Sequence, residues 1–195
     1  MSRFSFIIYM IGTIILLSSF NVQKCADALQ KAYEEKDYDA FVDAFPDKYE
    51  DFLNVYGYDK KNGQGNPLYD HYVEHLDFLF NNEKVLEENV LNKLLSLSYN
   101  YIWRSDAVSQ VIYETEKLLL EYPKRFTEYF SGKTDEEVIS FLQMALTNID
   151  TDNSYYLKGY YKLLETYTPY SGRIVKLAKI AFERAKKACD VLVVY

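Results

Sequence analysis

The sequence predicts an all-α protein with a single domain of nine or ten helices, arranged as an antiparallel array or as a short irregular α-superhelix. Only seven glycines and four prolines interrupt the 195 residues. Apolar residues recur every three or four positions, which is the period of a helix with one buried face, and no stretch alternates convincingly as a half-buried strand does. After a leader of about 24 residues, the remainder is long enough for one core and too short for two generous domains.

The chain begins with the pattern of an export signal. Arg3 is followed by an uncharged run from Phe4 to Phe20, and small or polar residues come next. This order is typical of a bacterial secretory signal, whereas a membrane-spanning helix needs about 20 apolar residues. We therefore expect residues 1–24 to be a signal peptide, cleaved between about residues 21 and 28, and residues 25–195 to work in the periplasm or cell envelope. An uncleaved membrane anchor is the alternative.

The two cysteines, Cys25 and Cys189, are too few for a disulfide framework. If both cysteines remain in the mature chain, a disulfide bond between them could join the two chain ends. We expect instead that Cys25 leaves with the signal or takes a lipid, and that Cys189 is a partly buried thiol. Cleavage after residues 26–28, which satisfy the small-x-small rule, removes Cys25, and a cut nearer Asn21 retains it. Because Lys24 stands where a lipoprotein signal needs a small residue, cleavage is favoured over lipidation.

The first part of the mature chain predicts three short helices. The apolar faces of the first two lie around Leu29 and Phe41, with an interruption near Asp37. Pro46 closes the second, because proline cannot continue a helix. Asp47 is positioned to cap the third helix, whose sequence is DKYEDFLNVY.

The rest of the chain predicts a long loop and then a series of helices. Residues 57–67 hold three of the seven glycines and predict the loop, after which Pro67 begins a helix. Thr134 and Glu137 form a capping box at the start of a later helix. Apolar spacing and the breaks between helices predict further helices at about residues 85–102, 104–121, 123–130, 134–148, 154–167 and 172–188.

Charge and composition favour a protein partner. The formal net charge is −7, from 29 acidic and 22 basic residues without a basic cluster, so repulsion disfavours nucleic acid and anionic membranes. The 20 tyrosines suit recognition surfaces, because a tyrosine ring packs while its hydroxyl bonds to water or a partner. No phosphate-binding loop, dinucleotide-binding turn, nucleophile elbow or EF-hand is present. We therefore expect no cofactor and no catalytic residue.

One motif could carry chemistry: His71, Glu74 and His75 form an HxxEH string, and the chain has no other histidine. On a helix the two histidines share a face, as zinc ligands require, with Glu74 as a possible base. The string resembles the inverzincin metalloprotease motif, but inverzincins carry it in a much larger α/β domain. Candidate third ligands are Glu114, Glu116, Glu121, Glu136, Glu137 and Glu165. We favour a surface helix with two ordinary histidines and no metal, with the zinc hydrolase as an alternative.

Two blocks, roughly residues 45–80 and 99–112, resemble a group of small helical bacterial proteins. Members share a YGY/YGF…PLY loop-helix unit and a W-x-x-D-A-V/I helix start, and some are encoded beside antibacterial toxins, as expected of immunity proteins. The matching residues here are Tyr56, Gly57, Tyr58, Pro67, Leu68, Tyr69, Trp103, Asp106, Ala107 and Val108. The chain departs from the group where an FDGPHP-like segment is replaced by TNIDTDN. Most of these positions also suit a scaffold role, in starting helices and filling their junctions.

These observations lead to a functional hypothesis. We expect a non-enzymatic periplasmic immunity protein that occludes an envelope-acting toxin with a basic surface, touching the membrane only through its signal or a lipid at Cys25. The alternatives are the zinc hydrolase and an envelope scaffold or adaptor of the helical-repeat type. The candidate partner-binding residues lie on the long loop and near the break at residue 150, where aromatic and adaptable polar groups combine: Tyr58, Asp59, Lys60, Asp150, Asp152, Tyr155 and Tyr156.

Overall fold

The structure, a computed structural model, describes residues 21–59, 62–99, 105–147 and 153–192, with the side chains of the last segment described for 157–187. Within these residues the protein is an all-α single domain with ten helices, which confirms the predicted fold class. Of the signal peptide predicted at residues 1–24, residues 1–20 lie outside the described part. None of the described helices combines the length and the apolar character needed to cross a membrane.

The helices follow one another through short connections. In chain order they are α1 (21–35), α2 (Tyr38–Ala44), α3 (Tyr49–Tyr56), α4 (Tyr72–Phe80), α5 (Glu88–Ser98), α6 (Asp106–Glu121), α7 (Pro123–Ser131), α8 (Asp135–Leu146), α9 (Asn153–Tyr167) and α10 (Gly172–Leu192). Short 3₁₀ segments at Tyr69–His71 and Glu83–Leu86 precede α4 and α5. Two strands, β1 (Tyr58–Asp59) and β2 (Gln64–Gly65), pair between α3 and α4.

Local capping sets several helix boundaries where the sequence predicts them. The Asp37 side chain accepts the Ala40 N–H at 3.0 Å and begins α2. At α8 the predicted capping box is present: Thr134 Oγ1 accepts the Glu137 N–H at 3.3 Å, and Glu137 Oε2 accepts the Thr134 N–H at 2.7 Å. These bonds satisfy donors that a helix start leaves free.

The helix expected from Pro67 begins as α4 only at Tyr72, after the 3₁₀ segment Tyr69–His71. Two further boundaries differ from the prediction. Asp47 does not cap α3, because its carboxylate pairs with Lys93 Nζ at 2.7 Å, and Lys48 precedes α3 without a side-chain bond. The helix expected from residue 85 begins as α5 only at Glu88, because Asn82 caps a 3₁₀ turn by accepting the Lys84 N–H at 3.0 Å. At α3, therefore, a tertiary ion pair engages the Asp47 side chain, which the local sequence pattern assigns to the helix cap.

The core is organised around α8. Seven of its twelve residues are buried, including Phe141 and Leu142, and it contacts α5, α6, α9 and α10. Phe141 also meets the rings of Phe126 and Phe130 from α7, with ring centroids 5.8 and 5.4 Å away. Because α8 contacts helices distant in sequence, the packing favours the compact array over a superhelix, in which each repeat contacts only its neighbours.

Arg173 joins the start of α10 to the turn between α7 and α8. Its Nη1 donates to the Phe130 carbonyl and its Nη2 to the Lys133 carbonyl, both at 2.8 Å. Its Nε donates to Asp135 Oδ1 at 2.9 Å. One planar guanidinium therefore satisfies two carbonyls and one carboxylate, an arrangement that a point charge cannot reproduce.

We expect Arg173→Lys to lower the free energy of unfolding by about 1–2 kcal/mol, because a lysine ammonium cannot reach all three acceptors. Urea denaturation measures this change. The matched control is Arg184→Lys, which alters a solvent-exposed ion pair between Arg184 and Glu136 on the same two helices and is expected to change stability little. Equal losses in both variants would contradict this account of Arg173.

Candidate functional site

A small hairpin between α3 and α4 replaces the loop predicted at residues 57–67. Tyr58 lies opposite Gly65 and Asp59 opposite Gln64 in an antiparallel pair. Gly63 adopts a φ of 65° in the turn, a left-handed conformation that glycine adopts without strain. The prediction of an irregular loop was therefore wrong for these residues, although the glycine that marked the loop is what allows the turn.

The hairpin is attached to the last turn of α3. The Asn66 side chain donates to the Leu53 carbonyl at 2.6 Å, and the Leu68 N–H donates to the Val55 carbonyl at 3.0 Å. The backbone N–H of Asn66 also donates to the Gly57 carbonyl, at 2.9 Å. These bonds satisfy carbonyls at the end of α3 and hold both arms of the hairpin in place.

Three tyrosines form a row across the hairpin and the start of α4. The ring centroids of Tyr58 and Tyr69 are 5.3 Å apart, and those of Tyr69 and Tyr72 are 6.2 Å apart. Tyr58 is 43% exposed, and the other two are half-buried. We call Tyr58, Tyr69 and Tyr72 the tyrosine row. Gly65 makes room for it, because a Cβ at that position would lie 2.6 Å from the Tyr69 Cβ.

The tyrosine row has an acidic neighbour in α6. The Tyr69 hydroxyl donates to Asp106 Oδ2 at 3.4 Å. Partial burial and this carboxylate raise the pKa of Tyr69, and the same two causes raise the pKa of Tyr72. Both hydroxyls therefore stay protonated at neutral pH and remain available as hydrogen-bond donors.

A cavity of about 340 Å³ opens beside the row. Its lining combines a carboxylate, two amides, an aromatic ring and an apolar side chain, from Glu50, Asn54, Asn66, Tyr58 and Leu53, together with Gly57. The lining therefore combines hydrogen-bonding groups with apolar surface. A basic or hydrogen-bonding side chain of a partner would find acceptors there and a ring to pack against.

The predicted partner-binding residues are distributed unevenly. Tyr58 lies in the tyrosine row, whereas Asp59 is half-buried and accepts the Asn62 side-chain amide at 2.6 Å, a bond inside the hairpin. Tyr155 and Tyr156 belong to α9, but their side chains are outside the described part. Lys60, Asp150 and Asp152, with Trp103 of the second sequence block, lie outside the described residues altogether.

Tyr72 was missed by the sequence reasoning, which treated Tyr69 as part of the scaffold. The available signal was their spacing of three residues at a helix start, which places two side chains on one face. Asp106 is the first residue of α6, close to the helix start predicted at about residue 104, but the sequence did not indicate its bond to Tyr69. That contact joins residues 37 positions apart.

The two histidines share a face of the helix, as their spacing predicts. Their rings stack with centroids 6.0 Å apart and an interplanar angle of 25°. His71 is exposed, and its Nδ1 lies 3.2 Å from Glu74 Oε2. His75 is fully buried, so the interpretation of two ordinary surface histidines was wrong for His75.

His75 belongs to an aromatic cluster in the core. Its Nδ1 lies 3.1 Å from the Tyr56 hydroxyl, and its ring packs against Tyr33 and Phe41, with centroids 4.8 and 5.4 Å away. Burial, with a smaller contribution from His71, lowers the pKa of His75 to about 4. Among the described residues no group of three or more His, Cys, Asp or Glu side chains is arranged to hold a metal ion.

Comparison with known proteins adds no relative. No protein-family model matches the chain, and neither a curated protein nor a solved structure matches it significantly. Several residues of the two sequence blocks have structural roles here: Tyr56, Leu68, Ala107 and Val108 are buried, and Gly57 ends α3. The scaffold interpretation therefore holds for these positions, and the functional part of the resemblance stays a prediction.

We expect the protein to lose stability as the pH falls from 6.5 toward 4. In this range the unfolded histidine binds a proton, whereas the native His75, with a pKa of about 4, stays neutral. His75 should lower the free energy of unfolding by about 2–3 kcal/mol across this window. Urea denaturation at a series of pH values measures the slope.

The matched variants are His75→Gln and His71→Gln. The first removes the titrating ring and is expected to flatten the slope, while the second removes an exposed ring and is expected to leave the slope in place. Persistence of the full slope in His75→Gln would contradict the assignment.

Proposed function

We propose that this chain is a non-enzymatic binding protein of the periplasm, and specifically an immunity protein that occludes an envelope-acting antibacterial toxin. The observation that carries the proposal is the tyrosine row, which extends from the hairpin to the start of α4. It lies beside a cavity whose lining includes the carboxylate of Glu50. The motif resemblance and the leader sequence support the same class of protein.

The geometry of the row suits a protein interface. Tyrosines are frequent among the residues that carry most of the binding energy in interfaces, because they combine apolar area with a polar tip. Here each ring contacts its neighbour, with the shortest spacing 5.3 Å. Rings that are already ordered lose little conformational freedom when a partner covers them.

The charge around the row favours a basic partner. Glu50 at the cavity and Asp106 beside Tyr69 are both exposed, and the whole chain carries a formal charge of −7. Such a field attracts a positively charged protein and raises its rate of association. Occlusion of a toxin needs no catalytic group on this chain, because the effect comes from covering the toxin's own active surface.

The tyrosine row can be tested through protection of cells. We expect the wild-type protein, exported with its own leader, to protect cells against a toxin delivered to the periplasm, with the product of the adjacent gene tested first. Tyr58→Ala is expected to weaken binding of the purified toxin at least about tenfold, by removing an exposed aromatic anchor. Titration calorimetry measures the affinity, and growth during toxin expression measures protection.

The matched control is Tyr170→Ala, which removes a tyrosine of similar exposure after α9 and is expected to leave binding and protection unchanged. If cells lacking the protein are unharmed by the adjacent gene product and by other toxins delivered to the periplasm, the immunity proposal fails. Stable complexes with envelope proteins in the absence of any toxin would support the scaffold alternative.

The packing of α1 leads to a prediction about processing. Ala26 and Leu29 are buried in the core, and the Cys25 thiol donates to the Ala44 carbonyl at 3.4 Å. Val22 also packs against the core, and cleavage after Ala28 would remove it together with Cys25 and Ala26, so we expect the cut on the N-terminal side of Val22. Burial, with Asp51 nearby, raises the pKa of Cys25, which favours an unmodified thiol.

Intact-mass measurement of the protein from the envelope fraction tests this expectation. The predicted mass corresponds to a chain that retains Val22 and a free thiol at Cys25. A mass corresponding to a chain that begins at Leu29, or to a lipid attached to Cys25, would contradict it.

A further inference from the structure

A second cavity, of about 320 Å³, forms a groove between α6 and α9. Its lining shares no residue with the cavity beside the hairpin. The α6 side of the groove is lined by Tyr113, Glu116, Lys117, Leu120 and Glu121, and the α9 side by Lys158, Gly159 and Lys162. Its volume lies at the lower end of the range for small-molecule sites, about 300–1,000 Å³.

Glu116 is an unsatisfied carboxyl group in this groove. It is partly buried, and within the described part of the chain it accepts no hydrogen bond and forms no ion pair. Burial raises its pKa, and the more distant charge of Lys162 only partly opposes this effect. Because partial burial disfavours the ionised form and no described residue donates to it, a bound donor or cation would stabilise the carboxylate.

Gly159 brings the backbone of α9 close to this carboxyl group. A Cβ at position 159 would lie 2.6 Å from Glu116 Oε1. Glycine within a helix is less favourable than alanine by about 1 kcal/mol. At this position, however, the missing side chain leaves room for the Glu116 carboxylate itself, which lies against the backbone of α9.

The α9 side of the groove carries positive charge. Lys158 and Lys162 are exposed, and neither forms an ion pair with a described residue. Lys117, by contrast, is paired with Glu114 at 3.4 Å. Tyr113, which is 51% exposed, and Leu120 supply apolar surface between the two charged sides.

We propose that this groove binds a small zwitterion, an amino acid or a short peptide, with its ammonium group at Glu116 and its carboxylate at Lys158 and Lys162. This proposal is independent of the proposed immunity function, because the groove is lined by different residues. A simple anion would be repelled by Glu116, and a polyamine would be repelled by the two lysines. A ligand that carries both charges satisfies both sides.

Titration calorimetry on the full mature protein tests the proposal with L-alanyl-L-alanine. We expect saturable binding, and at least about tenfold weaker binding of the N-acetylated dipeptide, which lacks the ammonium group, and of the dipeptide amide, which lacks the carboxylate. Absence of saturable binding up to about 10 mM, or equal binding of all three compounds, would overturn the proposal.

Two matched variants identify the groove as the binding site. Glu116→Gln is expected to weaken dipeptide binding at least about tenfold, and Glu165→Gln, which makes the same change on an exposed part of α9 outside the groove, is expected to leave it unchanged. Gly159→Ala should also weaken binding, because the added Cβ would displace the Glu116 carboxylate. If Glu116→Gln, with wild-type circular dichroism, binds the dipeptide as tightly as Glu165→Gln does, the assignment is wrong.

Discussion

The hydrogen bond between Tyr56 and His75 holds together the region on which the candidate surface depends. Tyr56 is the last residue of α3, and His75 lies in the first half of α4, so this bond, at 3.1 Å, joins the two helices that the hairpin connects. Both residues are fully buried, where a polar group without a partner is costly. Because each of these side chains is the hydrogen-bond partner of the other, their bond holds α3 and α4, and so the two ends of the hairpin, at a fixed separation. The order of the tyrosine row follows from that constraint.

The fold class could be predicted because it depends on signals that repeat along the chain. A period of three to four residues is visible in every long helix, and the capping box at Thr134 lies within four consecutive residues. The hairpin gave no such signal, since two-residue strands are too short to show alternation. Asp47 failed as a cap for a different reason. Its partner, Lys93, is 46 positions away in the chain, and local patterns contain no information about such contacts.

The candidate site was predictable only in part, for the same physical reason. Tyr58 follows a glycine in a polar segment, so its exposure could be expected from the sequence. The burial of His75 could not, because it depends on rings contributed by α1, α2 and α3 together. Likewise, the groove at Glu116 exists because α9 presents a glycine to α6. A glutamate on a helical face is usually solvated, and only the tertiary neighbour distinguishes this one.

Asp106 and Glu116 are carried by the same helix, α6. Ten residues separate them, which corresponds to about 15 Å along a helix axis. The N-terminal end of α6 contacts the tyrosine row through Tyr69, and the later turns of α6 form one wall of the groove. A shift of α6 along its axis would therefore move the hydrogen-bond acceptor of Tyr69 and the wall of the groove by the same distance. Both surfaces therefore depend on the position of one helix.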